Sequence, residues 1–190
     1  DPSAQTTSTA IGLFANTYTC SITDSNGCTT SSTVVVNNTV PVVNITTSVN
    51  VTCDGGNDGS ATAIASQGTP PYTYLWDDPG AQTDSVATNL ASGTYSVNIT
   101  DSSGCITAST VTITEPSAIS LITVSTNSTC GNSDGNAGVT ANGGIPSYSY
   151  VWSDISGQTN ATATGLFAGT YNVTVTDSNG CISTASVMVN

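Results

Sequence analysis

The stretch that decides the fold is GTYSVNITDSSGC, residues 93–105. It returns as GTYNVTVTDSNGC at residues 169–181 and, in shorter form, as TYTCSITDSNGC at residues 17–28. Apolar residues alternate with polar ones in each full copy, which predicts a β-strand with one buried face. The Asp-Ser-Ser/Asn-Gly that follows predicts a hairpin turn, because Asp caps the turn through its side chain and Gly supplies a positive φ.

These copies belong to a longer repeat of about 76 residues, since Cys53 and Trp76 recur as Cys130 and Trp152. A period of that length is a small domain and not one turn of a solenoid. Three segments follow, namely the C-terminal half of a repeat at residues 1–38 and two full repeats at residues 39–115 and 116–190.

The pattern along each full repeat predicts an all-β fold. Short runs of β-branched and aromatic residues lie between Gly, Pro, Asn and Asp turn signals, and no stretch has a helical period. We therefore predict tandem immunoglobulin-like β-sandwiches arranged as a rod. Trp76 and Trp152 lie on the third predicted strand and are expected in the core near a disulfide. Short joints containing Pro41 and Pro116 favour a semi-rigid connection.

Residues 1–38 resemble only the second half of a repeat, because Gln5 and Cys28 align with Gln82 and Cys105. A half sandwich would leave one sheet face bare. We expect its missing strands to come from another chain or from sequence upstream of residue 1.

The cysteines indicate an oxidising, extracellular compartment, because an even number lies at equivalent places in small domains. We expect one disulfide in each full repeat and a third in the half repeat, where Cys20 stands in for a missing early cysteine. The expected pairs are Cys53–Cys105, Cys130–Cys181 and Cys20–Cys28. Paired zinc sites are disfavoured, since the chain has no His and no Cys-x-x-Cys.

The charge composition excludes several functions. The chain has 12 acidic residues and no Lys, Arg or His, for a net charge of −12. Nucleic-acid binding is therefore not expected, because phosphates are held mainly by Lys and Arg. Catalysis is not expected either, since no carboxylates converge, and the adjacent Asp77 and Asp78 would point to opposite faces of a strand. No apolar stretch is long enough to cross a bilayer, so membrane insertion is not expected.

Two loops rich in Asp, Asn and Gly could hold Ca²⁺, which takes six to eight oxygen ligands. The candidate ligands are Asp54, Asn57, Asp58, Asp134 and Asn136. Neither loop fits the EF-hand pattern, and turn residues chosen for backbone reasons are the favoured interpretation. A weaker calcium candidate is a junction site that uses Asp77, Asp78 or Asp154. No other cofactor is expected.

Glycosylation is a further expectation, because the chain has several Asn-x-Ser/Thr acceptors. These are Asn37, Asn44, Asn50, Asn98, Asn127, Asn160 and Asn172. Ser85 lies in Asp-Ser-Val, which resembles a bacterial O-glycosylation signal. The alternative is a plain solvated β-surface, for which Thr is well suited.

The order CDGGNDGSATAIASQGTPPYTYLW at 53–76, GTYSVNITDSSGC at 93–105 and VTITEP at 111–116 resembles the SprB-type repeat. That repeat occurs in very long surface proteins of gliding and related Bacteroidetes. The resemblance implies secretion to the cell surface, an immunoglobulin-like sandwich and a role in adhesion or filament formation, with no catalytic residues. The half repeat and the lack of basic residues depart from the family, so its motility role is not carried over.

We therefore expect an extracellular structural protein that forms a cell-surface stalk, adhesin or fibre. Its partners would be adjoining repeats or neighbouring copies of itself, with surface glycans as further candidates. One alternative is a carbohydrate- or calcium-binding adhesive module. The other is a subunit of a homopolymeric filament, in which strand addition completes the half repeat.

Overall fold

The computed structural model describes residues 4–37 and 39–190, and within these ranges every regular element is a β-strand. The half repeat contributes β1 (Asn16–Thr23) and β2 (Thr29–Val36). The first full repeat contains β3 (Val42–Val49), β4 (Gly59–Ser66), β5 (Tyr72–Trp76), β6 (Val86–Leu90), β7 (Gly93–Asp101) and β8 (Ile106–Ile113). The second contains β9 (Ser120–Thr126), β10 (Gly135–Asn142), β11 (Ser149–Trp152), β12 (Thr162–Leu166), β13 (Gly169–Thr176) and β14 (Ile182–Val189).

Each full repeat folds into two three-stranded antiparallel sheets. In the first repeat the sheet orders are β3-β4-β6 and β5-β7-β8, and in the second they are β9-β10-β12 and β11-β13-β14. When the six strands of a repeat are given the immunoglobulin letters A, B, C, E, F and G in chain order, these are the A-B-E and C-F-G sheets of that sandwich. The prediction of an all-β, immunoglobulin-like fold is confirmed.

The alternation read from the sequence places the core between the sheets. Val97 and Ile99 on β7 are fully buried, while Asn98 between them is exposed. On the partner strand β8, Val111 and Ile113 are also buried. A strand with one apolar face can hold only one register, because a shift by one residue would turn that face to water.

The two tryptophans fill the centres of the two cores, as predicted. Trp76 and Trp152 are 1% and 2% exposed. Their indole Nε1–H groups donate to the carbonyl oxygens of Asp84 and Asn160 at 3.0 and 2.8 Å. No cysteine is among the buried residues of either core cluster, so the expectation of a disulfide beside each Trp is wrong.

A tyrosine near the start of β7 and of β13 fixes the corner that leads into the strand. In each case the hydroxyl donates to the carbonyl oxygen four residues upstream, as in the tyrosine corner of immunoglobulin-like sandwiches. The pairs are Tyr95 with Ala91 at 3.1 Å, Tyr171 with Phe167 at 3.1 Å and, in the half repeat, Tyr18 with Phe14 at 2.9 Å.

The half repeat is a hairpin in which β1 pairs with β2 from Asn16 opposite Val36 to Thr23 opposite Thr29. Ile22 and Val34 on one face of this hairpin are 64% and 57% exposed. Their equivalents in the first full repeat, Ile99 and Val111, lie in the core. The hairpin therefore keeps the local structure of a repeat without its opposite sheet.

We predict that replacing either core tryptophan with Ala lowers the free energy of unfolding by about 3–5 kcal/mol, because the cavity cannot fully collapse. The matched control is Leu75→Ala on the same strand, where the side chain is 48% exposed and the loss should be well below that of Trp76→Ala. Urea unfolding followed by circular dichroism measures both. Equal losses in the two variants would contradict a structural role for the indole.

Candidate functional site: the joint between the repeats

The turn before β14 is held by one carboxylate. The Oδ1 atom of Asp177 accepts the backbone N–H groups of Asn179 and Cys181, both at 2.9 Å. Its Oδ2 atom accepts the N–H of Ile145, on the β10–β11 loop, at 2.8 Å. Gly180 takes a φ of +86°, as the hairpin prediction requires. The turn and the neighbouring loop therefore form one unit.

The first repeat builds the same unit around Asp101. Its carboxylate accepts N–H groups from Ser103, Cys105 and Thr69, each at 2.9 Å. Asp101 and Asp177 are both buried, and both have a lowered pKa. For Asp177 the N–H of Ile145 is the largest cause and outweighs burial. For Asp101 burial pushes the pKa up, but the N–H donors together push it further down.

The turns organised by Asp101 and Asp177 lie at the end of each repeat at which the chain enters it. We call this the proximal end of the repeat. The first cysteine of the first repeat lies at the opposite, distal end. Beside Cys53, the N–H of Val51 donates to the carbonyl oxygen of Thr114 at 2.9 Å. The N–H of Gly55 donates to the side chain of Glu115 at 2.7 Å. Cys53 therefore lies where the chain leaves the first repeat for the second.

A disulfide joins Cys53 to Cys181, with 5.6 Å between the Cα atoms and a sequence separation of 128. It links the distal end of the first repeat to the proximal turn of the second. Beside it, Nδ2 of Asn179 donates to the carbonyl oxygen of Thr52 at 3.1 Å. Residues 116–119, which connect the repeats, line a cleft with both cysteines. We call this set of contacts the joint site.

The expected pairs Cys53–Cys105 and Cys130–Cys181 are therefore wrong. The two cysteines of a full repeat lie at its opposite ends. In the first repeat β8, running from Ile106 to Ile113, separates those ends by about 23 Å at 3.3 Å per residue. A disulfide needs Cα atoms within about 7 Å. The bridge connects the repeats and does not close either one.

The expected pair Cys20–Cys28 is wrong as well. Cys20 lies opposite Ser32 in the hairpin, so Cys28 is four residues further along, about 13 Å at 3.3 Å per residue. Both residues are exposed thiols.

Two of the candidate calcium ligands instead brace the residue that precedes a cysteine. The Asp58 carboxylate accepts both the N–H, at 2.9 Å, and the hydroxyl of Thr52. The Asp134 carboxylate accepts the same two groups of Thr129, both at 2.7 Å. In each case the hydroxyl is the largest cause of a lowered carboxyl pKa, followed by the N–H. These carboxylates hold the segments that carry Cys53 and Cys130.

The other candidate ligands are not drawn together. Asn136 donates from Nδ2 to the hydroxyl of Thr126 at 3.0 Å, and Asp54 and Asn57 are exposed. Within residues 4–37 and 39–190, no three His, Cys, Asp or Glu side chains form a group that could hold a metal ion. Calcium binding at these loops stays a prediction.

The carboxylates suggested for a junction calcium site bond within their own repeats. Asp78 accepts the N–H of Gly80 and both the N–H and the Nε2 group of Gln82, at 2.9–3.0 Å. Asp154 makes the matching bonds to Ser156 and Gln158. Burial raises the pKa of Asp78, and these donors together bring it below its ordinary value. Asp77 accepts the N–H of Ser96 at 2.7 Å.

The seven Asn acceptors for glycosylation are all exposed, and Ser85 is half-buried. Asn98 lies exposed between the buried Val97 and Ile99, and Asn172 lies exposed between the half-buried Tyr171 and the buried Val173, which agrees with the outward positions expected. Asn50 and Asn127 also accept backbone hydrogen bonds, from Thr114 at 3.0 Å and from Asn190 at 3.2 Å. Modification at these positions stays a prediction.

The fold and the joint define the class of protein: immunoglobulin-like domains in tandem, clamped to one another by a disulfide. The SprB repeat model matches residues 45–81 and 122–157. Each full repeat thus contains a segment that matches the SprB repeat model, and the resemblance noted from the sequence is confirmed. No curated protein matches the sequence. In the part of the chain that the structure describes, no helix could span a membrane.

The solved structures that match the chain include the following three. The three N-terminal domains of the Highly Immunogenic Outer Capsid protein of bacteriophage RB49 are 18% identical, with 80% of this chain and 58% of that one covered and a TM-score of 0.42. The N-terminal eight Ig domains of Down Syndrome Cell Adhesion Molecule are 14% identical, with 92% and 28% covered and a TM-score of 0.45. A tetra-tandem repeat from the extending region of a large adhesion protein is 16% identical, with 92% and 56% covered and a TM-score of 0.25. The chain spans less than two thirds of each, and the fold assignment rests on its own strand topology.

The disulfide can be mapped with one cut, because a chain without Lys or Arg has no trypsin site. Ser117→Lys, at an exposed position of the connecting segment, creates a single site between the repeats. After thiols are alkylated and the protein is denatured, we predict that the two trypsin fragments stay together without reductant and separate with it. Cys181→Ser in the same background is the control and should give separate fragments in both cases. Separation of the Ser117→Lys fragments without reductant would show that no disulfide connects the two repeats.

We predict that stability falls in acid and that Asp177 contributes to the fall. A carboxyl whose pKa is lowered by folding stabilises the folded state above its ordinary pKa of about 4, and this contribution is lost as the pH drops through the lower folded value. Asp177→Asn should lower the melting temperature at pH 7, because an amide cannot accept the Ile145 N–H in place of Oδ2, and should flatten the acid decline. Asp54→Asn, which removes an exposed charge, is the control. Melting curves from pH 7 to 2.5 that are identical for Asp177→Asn and the unsubstituted chain would contradict this role.

Proposed function

We propose that this chain is a load-bearing segment of an extracellular stalk or adhesin, with a structural and not a catalytic role. The observation that carries the proposal is the disulfide between Cys53 and Cys181, which fastens one SprB repeat to the next. A disulfide persists in oxidising compartments such as the cell exterior. Adjoining repeats are therefore the partners that the proposal names first.

The position of the disulfide suits a chain under tension. A pulling force applied to the two ends of the chain reaches Cys53 and crosses the bridge to Cys181. The residues between them, including β4 to β13, lie outside this covalent path. Tension therefore cannot extend them until the bridge is reduced.

The non-covalent contacts at the joint favour a fixed angle between the repeats. Glu115 accepts Gly55 N–H and the Ser92 hydroxyl, both at 2.7 Å, which ties the connecting segment to the first repeat. The N–H of Gly144 donates to the carbonyl oxygen of Ser117 at 2.7 Å, which ties the same segment to the second. Together with Pro116, these bonds leave the connection little freedom to swing.

Single-molecule pulling from the two ends tests the proposal. The oxidised chain should release only the length outside the bridge, and reduction should add the 128-residue separation, roughly 460 Å at 3.6 Å per residue. Cys181→Ser should behave as the reduced chain without any reductant. Full extension of the oxidised chain would contradict a load-bearing bridge.

A filament is a second candidate, favoured by the bare face of the half-repeat hairpin. Ile22 and Val34 lie on that face and are exposed, whereas their equivalents in the full repeat are buried. Strands donated by a second copy could cover the face by strand addition. Assembly measured by sedimentation under reducing conditions should then rise with protein concentration and be lost in Ile22→Asp. Val35→Asp, on the opposite face, is the control. A chain that stays monomeric at every concentration would reject this candidate.

A further inference from the structure

The distal end of the second repeat carries a cysteine, as the distal end of the first does, and the residues beside the two cysteines make the same hydrogen bonds. Cys130 is equivalent to Cys53 and follows Thr129, which Asp134 braces as Asp58 braces Thr52. The chain thus contains two copies of this cysteine site. At Cys53 the sulfur is bonded to the next repeat, and at Cys130 it is an exposed thiol.

We propose that Cys130 forms a disulfide with Cys28 of a second copy of this chain, so that copies join head to tail through the contact that Cys53 makes with Cys181. The proposal builds on the stalk role and extends the clamp from repeats within one chain to repeats of separate chains.

Cys28 is the matching partner because its turn repeats the turn that Cys53 engages. Residues 24–28 and 177–181 both read Asp-Ser-Asn-Gly-Cys. The Oδ1 atom of Asp24 accepts the N–H groups of Asn26 and Cys28 at 2.9 Å, as Asp177 does in the second repeat. Gly27 has a φ of +84°. The two turns therefore share the backbone hydrogen bonds and the positive glycine φ that position the cysteine.

The turn at 24–28 also keeps the side chain that docks beside the disulfide. Asn179 donates to the carbonyl oxygen of Thr52 in the joint site, and Asn26 stands in the equivalent place. The corresponding carbonyl in the second repeat is that of Thr129. The turn of the first full repeat has Ser103 at this position and lacks the amide. Cys20, also an exposed thiol, lies within β1 and not on a turn.

The surface around Cys130 has room and an apolar contact for a docking turn. Cys130 and Phe167 line one cleft with Asn132 and Asn190. Phe167 is 57% exposed, and the first repeat has the small Ala91 at the equivalent place. An exposed aromatic beside the thiol adds apolar area that a second copy can bury. Because both copies are acidic, salt should favour the encounter by screening their repulsion.

The covalent step is a thiol–disulfide exchange with a small disulfide oxidant such as oxidised glutathione. The Cys130 thiolate attacks one sulfur of the oxidant and releases one glutathione thiolate. The Cys28 thiolate of the second copy then attacks the Cys130 sulfur of the mixed disulfide and releases the other. Two protein thiols are oxidised, one glutathione disulfide is reduced to two glutathione molecules, and the two thiol protons leave with them.

The experiment is oxidation of the chain by oxidised glutathione at high salt and a protein concentration of about 0.2 mM, which offsets the lack of a tether between copies. Non-reducing gels should show a ladder of covalent multimers, and peptide mapping should find Cys130 joined to Cys28. Cys130→Ser and Cys28→Ser should each remove the ladder. Cys20→Ser is the matched control, since it removes an exposed thiol from the same hairpin and should leave the ladder intact.

Each contrary result overturns the inference. These are a ladder that survives Cys130→Ser, a ladder lost in Cys20→Ser, a Cys130–Cys130 link, or a chain that stays monomeric while glutathione is found attached to Cys130. The fragment test with Ser117→Lys, run in a Cys28→Ser background so that the link between copies cannot hold the fragments together, reports on Cys53–Cys181 independently. If that bridge is present and the ladder is absent, the stalk proposal stands and the head-to-tail link fails.

Discussion

Backbone N–H groups converge on the buried carboxylates of Asp101 and Asp177, and the rest of the structure depends on these hydrogen bonds. The chain has no Lys, Arg or His, so no side-chain cation can compensate a negative charge. Hydrogen bonds to a charged acceptor are stronger than neutral ones, and here they come from turns that the carboxylate itself organises. The acidic side chains of Asp101 and Asp177 therefore serve as the hydrogen-bond acceptors that form the turns.

The same kind of bond places both halves of the bridge. Asp177 sets the turn that ends at Cys181, and Asp58 holds Thr52, which precedes Cys53. These hydrogen bonds hold the two cysteines at facing ends of adjacent repeats. The disulfide lies beside a further hydrogen bond between the repeats, from Asn179 to the carbonyl oxygen of Thr52.

Local features could be predicted from the sequence, because alternation, turn residues and aromatic positions act over a few residues. The hairpins, the buried Trp76 and Trp152, and the immunoglobulin-like sandwich are of this kind. The cysteine pairing could not, since cysteines at equivalent positions recur with the same period whether they bond within a repeat or between repeats. Pairing within a repeat can be distinguished from pairing between repeats only when it is known that Cys53 and Cys105 lie at opposite ends of the folded repeat. The alignment of Cys20 with the core position of Val97, and not with Cys53, was a signal against the pair Cys20–Cys28.

The sequence separation of 128 between Cys53 and Cys181 also imposes an order on maturation. Because synthesis runs from the N-terminus, Cys53 is made 128 residues before its partner and Cys105 is the nearer cysteine. Folding of the first repeat then moves Cys105 to the far end of a sandwich about 23 Å long, where it cannot react with Cys53. Because domains fold as units and small ones fold within seconds, tertiary structure protects the waiting thiol from its nearest wrong partner. Folding of the first repeat thus directs oxidation by holding Cys53 and Cys105 further apart than a disulfide can span.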